Sequence, residues 1–102
     1  MCTYQTARLT LEGSGRGRQG WFPLTDASVY VDHPVHFPAG HALMIDLLNP
    51  SRGPEARMAV ELDAPSARAL AESILASLDA VPPGLLDVPA PVPAQADTGD
   101  AA

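Results

Sequence analysis

The sequence predicts an α+β fold: a four-stranded antiparallel meander sheet with one C-terminal helix packed on one face, then a disordered Pro/Ala-rich tail. Three observations predict it. Apolar residues recur at every second position in four separate runs before residue 63, the period of half-buried strands. The connections between these runs are short and rich in Gly, Pro and Asn, which favours adjacent antiparallel strands. One run spaced by threes and fours then follows, the mark of an amphipathic helix.

The first strand runs over Cys2 to Leu11. Ala7, Leu9 and Leu11 share one parity, and Tyr4, Thr6, Arg8 and Thr10 the other. Four glycines in the eight residues from Gly13 to Gly20 predict a turn or loop at a hairpin tip. A phosphate loop is the weaker alternative, because the lysine and hydroxyl pair and the following helix are missing. The second strand spans Trp21 to His33. Pro23 is expected to break or bulge its start, since proline cannot donate to a ladder. Ala27, Val29 and Val31 face one way, and Ser28, Tyr30 and Asp32 the other.

The third strand spans His41 to Leu48, with Leu43, Ile45 and Leu47 on one face. Its other face carries Ala42, Met44, Asp46 and Leu48, apolar enough to suggest a subunit contact. Asn49 to Pro54 is a dense turn signal. The fourth strand spans Arg57 to Leu62, with Met58, Val60 and Leu62 inward. Asp63 is a good helix N-cap with Pro65 tolerated in the first turn. Ala67, Leu70, Ala71, Ile74, Leu75 and Leu78 then make one apolar stripe. Pro82-Pro83-Gly84 ends the helix. Residues 1–81 therefore form one domain, and residues 82–102 a tail without periodicity.

Size and charge narrow the function. A chain of 102 residues makes one small domain, and oligomerisation is the natural way to add buried area. A formal net charge of −6 excludes a nucleic-acid partner, which needs basic residues against phosphates. The single cysteine rules out an intrachain disulfide. No secretory leader is read at the N-terminus and no apolar run approaches a bilayer's thickness, so a cytoplasmic protein with no membrane partner is expected.

Chemistry is concentrated in YVDHPVHFPAGH, residues 30–41, which holds all three histidines. In a meander, Cys2, His33, His36 and His41 fall at one end of the sheet, together with the positive end of the helix dipole at Asp63. Three imidazoles and one thiol suit a divalent transition metal: zinc, copper or iron. His33, His36 and His41 are the expected ligands, with Cys2 as a fourth. Three histidines with an open position would make a catalytic site, and adding Cys2 would close a structural one. Removal of Met1 would expose the Cys2 amine and thiol as a chelating pair. The plainer alternative gives these histidines capping and packing roles.

The opening MCTYQT, the segment GWFPLTDASVYVDHPVH and the run IDLLNPSRGPEARMAVEL resemble a family of short uncharacterised actinobacterial proteins. The resemblance covers residues 1 to about 80 and implies no activity. The first functional expectation is thus a small homo-oligomer, dimeric in the simplest case, that binds metal and acts on a small molecule. The rivals are a non-catalytic dimeric interaction module without metal, and a metal-free small-molecule binding or cyclase-like protein using His and Asp as acid and base.

Overall fold

The structure, a computed structural model, describes residues 5–87. Cys2 and residues 88–102 of the expected tail lie outside the described residues. The elements run in the order β1 (Ala7–Gly17), β2 (Gly20–Asp32), β3 (Ala42–Leu48), a 3-10 turn (Pro50–Arg52), β4 (Arg57–Leu62) and α1 (Ala64–Ala80). The four strands lie in the sheet in sequence order, each antiparallel to the next.

The first hairpin differs from the sequence reading. The glycines do not form a broad tip. β1 continues through Gly13–Gly17, and only Arg18 and Gln19 turn the chain, between the Gly17–Gly20 pair. Two of the glycines serve close approach instead. A Cβ on Gly15 would lie 3.1 Å from the Leu24 side chain. One on Gly17 would lie 3.1 Å from the Phe22 ring and 3.2 Å from the Glu55 carbonyl oxygen. Bare backbone at these positions lets Leu24 and Phe22 lie across β1. The register shift also falls on β1, between Thr10 and Gly13, while Pro23 stays in the ladder opposite Ser14.

Asn49 closes the other end of the β2–β3–β4 meander. It is buried, and its polar groups are satisfied. Its side-chain N–H donates to the Pro23 carbonyl at 2.9 Å, and Oδ1 accepts from the Ser51 amide at 3.1 Å and the Ser51 hydroxyl at 2.7 Å. Its own amide donates to the Ala56 carbonyl at 3.0 Å.

β4 hands over directly to α1. The Asp63 carboxylate accepts the Ser66 amide at 2.8 Å, the expected N-cap. Hydrogen bonding from the Ser66 side chain, and then from its amide, holds the Asp63 carboxyl below its ordinary range. The expected fold, a four-stranded antiparallel sheet followed by one helix over one of its faces, is the fold observed, and the apolar stripe of the helix stays partly in water. Leu70, Ile74, Leu75 and Leu78 remain 44%, 53%, 62% and 52% exposed. The buried apolar residues are Phe22, Ala27, Ala42 and Ala56, and among the described residues no large side chain is fully buried. Among the described residues, the apolar side of α1 is only partly covered. After the helix, residues 83–87 form turns, with Leu85 and Leu86 exposed.

Candidate functional site

Two regions carry the site: an apolar groove between sheet and helix, and the histidine loop at its end. The groove has a volume of about 600 Å³. Its floor is Val29, Val31, Leu43 and Ile45, the inward parity of β2 and β3. Its wall is the apolar side of α1, including Ala67, Leu70, Ile74 and Leu75. Arg68, Glu72 and His41 add polar groups.

The loop from His33 to His41 joins β2 to β3 just beyond the paired residues Asp32 and Ala42. His33 and His41 therefore flank the last rung of the ladder. Their rings meet, with centroids 4.3 Å apart and planes tilted by 41°. Asp32 fixes the first of them. Its Oδ1 accepts the His33 amide at 2.7 Å and lies 3.4 Å from His33 Nδ1.

His36 is placed differently. The carboxylate of Glu61, near the end of β4, accepts three successive loop amides: Val35 at 2.7 Å, His36 at 3.0 Å and Phe37 at 2.8 Å. The Val35 and Phe37 amides, with a smaller contribution from His36, hold the Glu61 carboxyl below its ordinary value of 4.5. The clamp fixes the loop through its backbone. Of the expected ligands, then, the structure brings His33 and His41 into contact. No group of three or more His, Cys, Asp or Glu side chains is arranged to hold a metal ion among the described residues. Cys2 lies outside them.

On the opposite face of the sheet lies a polar network the sequence reading did not assemble. Asp46 Oδ2 accepts the Tyr30 hydroxyl at 2.9 Å, and Oδ1 accepts Arg57 Nη2 at 2.8 Å. Burial, followed by the bond to Asp46, raises the Tyr30 pKa above its ordinary 10.0. The signal was available in the register. Tyr30 pairs with Met44, and Asp46 with Ala59, so Tyr30, Asp46 and Arg57 are diagonal neighbours on one face, within reach of long side chains. Asp46 is thereby occupied as an acceptor rather than aimed at the histidines. Glu61 carried no comparable signal, because its partners are loop amides 24 to 26 residues away.

No helix among the described residues is long and apolar enough to cross a membrane. The chain belongs to the family of unknown function DUF6295, whose model matches residues 1–87. No curated protein and no solved structure matches it.

Proposed function

We propose that this family member acts as a homo-oligomeric interaction module, dimeric in its simplest form, in which a second copy covers the groove between sheet and helix. The observation that carries this reading is the half-exposed stripe Leu70, Ile74, Leu75 and Leu78 standing over an open apolar sheet face. A monomer of this size rarely leaves so long an apolar surface in water.

The magnitudes favour helix against sheet over helix against helix. Fully burying one large aliphatic side chain is worth about 1.5–3 kcal/mol. Four half-exposed side chains gain roughly half of that each, so two copies together gain about 6–12 kcal/mol from their stripes. Association costs about 4–15 kcal/mol in lost freedom. Stripe contacts alone therefore only balance the cost, and the sheet face must contribute. Charge is compatible with a two-fold arrangement. Arg68 and Glu72 both line the groove, so in an antiparallel pairing Arg68 of one copy can face Glu72 of the other.

Sedimentation equilibrium of the full chain tests this. A dimer is expected, and Ile74→Glu combined with Leu75→Glu should convert it to monomer. A chain that stays monomeric over a wide concentration range sinks the proposal and leaves the groove to a small molecule, whose pockets span about 300–1,000 Å³. The metal-binding reading retains one supporting observation, the contact of His33 with His41.

A further inference from the structure

We infer that the β1–β2 half of the groove face is the surface that receives the second copy, so that α1 of each copy lies across Ala7, Leu9 and Trp21 of the other. This rests on the proposed self-association and names the surface that meets the helical stripe.

The helix stands over one half of its face. Of the four strands, α1 runs closest to β3, and no residue of β1 lines the groove beside it. The apolar face nevertheless continues onto β1. Ala7 pairs with Val29 and Leu9 with Ala27, and residues paired across a ladder share a face. Leu9 is 50% exposed. Trp21 has the parity of Val29 and Val31 along β2, which places it on the same face, and it is 56% exposed. Among the described residues β1 has a strand neighbour on one side only, and proteins commonly cover such an edge with a helix. The chain's own helix lies over β3, so the cover comes from another copy.

Charge makes this half of the sheet complementary to the helix. Between residues 5 and 20, Arg8, Arg16 and Arg18 stand against one acid, Glu12. Between residues 63 and 87, Asp63, Glu72, Asp79 and Asp87 stand against one base, Arg68. Arg16 pairs with Trp21 and so shares its face. Among the described residues Arg16, Arg18, Glu72 and Asp79 enter no ion pair. The basic surface and the acidic one belong to the same chain, so two copies related by a two-fold axis satisfy both at once. Tryptophan and arginine side by side are also the residue types that anchor interfaces. Stripe against stripe would instead set one acidic helix on another and leave Leu9 and Trp21 in water.

Trp21 is the chain's only tryptophan, so its fluorescence reports this surface directly. As the full chain is diluted and sedimentation shows monomer replacing dimer, the emission maximum should move to longer wavelength. Leu9→Glu should weaken association by about tenfold or more, with circular dichroism checking that the sheet survives. Arg16→Glu with Arg18→Glu should weaken it at low salt and less so at high salt. In a Cys2→Ser background, Leu9→Cys chains mixed with Ile74→Cys chains should be joined to one another by a thiol-specific crosslinker faster than either variant is joined to itself. A dimer whose Trp21 emission ignores concentration, or whose Ile74→Cys chains link mainly to each other, would overturn this surface and leave self-association standing. Leu9→Cys chains linking mainly to each other would overturn it in favour of pairing between two β1 edges. A chain that is monomeric at every concentration would remove both.

Discussion

The two faces of the sheet are finished to different degrees. On one, Tyr30, Asp46 and Arg57 satisfy each other, and the alternation of β2 places Phe22 and Leu24 on the same side, resting on the bare backbone of Gly17 and Gly15. On the other, Val29, Val31, Leu43 and Ile45 floor an open groove under a helix whose apolar stripe is half in water. The polar network of the first face closes within one chain. The second joins a half-buried apolar floor to an exposed apolar stripe. On the proposed self-association, this face is where the second copy would sit.

The largest expected effect separates the faces by concentration dependence. Phe22 is buried within the chain, so Phe22→Ala should cost about 3–5 kcal/mol, equally at every protein concentration. Ile74→Ala removes a side chain that is 53% exposed in one chain. Covered by a second copy, it should cost about 2–5 kcal/mol in an unfolding midpoint that rises with protein concentration. Thermal denaturation of both variants over a range of concentrations checks this. A small, concentration-independent loss for Ile74→Ala, well under 1 kcal/mol as for an ordinary surface site, would break the comparison.

A second test sharpens the account of the finished face. Gly17→Ala places a methyl against the Phe22 ring and the immovable Glu55 carbonyl, and overpacking of this kind costs about 1–3 kcal/mol. Gly13→Ala meets nothing within 4 Å and should fall within about 0.5 kcal/mol of wild type. Chemical denaturation of the two variants side by side measures the difference. Equal effects would mean the glycines serve chain flexibility and not close approach.

These contrasts also show what the sequence could convey. Strand order and the Asp63 cap were legible, because alternation and short connections leave few arrangements. The extent of the first hairpin was not, because a glycine that admits a neighbouring side chain is written in the same letter as one that makes a turn. The pairing of His33 with His41 follows from a meander once Asp32 is known to pair with Ala42. The separate holding of His36 does not follow, since it depends on Glu61 reaching a loop far away in sequence. For α1 the stripe was legible and its degree of exposure was not. Periodicity states that a face must be covered, and says nothing of which chain covers it.

The network on the finished face gives a smaller effect. Asp46→Ala leaves the Tyr30 hydroxyl and the Arg57 guanidinium without their acceptor. Both partners keep some access to water, so the loss should be about 1–2 kcal/mol. Tyr30→Phe removes one neutral donor and should cost about 1 kcal/mol or less. The double variant should cost less than the sum of the two, because they share one bond. Denaturation of the single and double variants measures the coupling, and strict additivity would show that the Tyr30–Asp46 bond contributes nothing.

The smallest effect concerns the Glu61 clamp and takes the form of a pH dependence. The Val35 and Phe37 amides lower the Glu61 pKa from its ordinary 4.5, so the folded chain binds this proton less readily than the unfolded one. The clamp's contribution is therefore fully present above that ordinary value. It is lost as pH falls through the lower folded value. Glu61 sits among partly exposed groups, so the change in global stability should be small. The local change should be clearer. Amide exchange at Val35, His36 and Phe37, corrected for its intrinsic pH dependence, should be protected near neutral pH and lose that protection below about pH 4.5, relative to the Glu61 ordinary value. Glu61→Gln replaces a charged acceptor by one neutral carbonyl oxygen, so these amides should exchange faster at every pH, with little pH-dependent step left. The same variant should leave the oligomeric state unchanged. Loss of the oligomer in Glu61→Gln would instead tie the loop to the unfinished face.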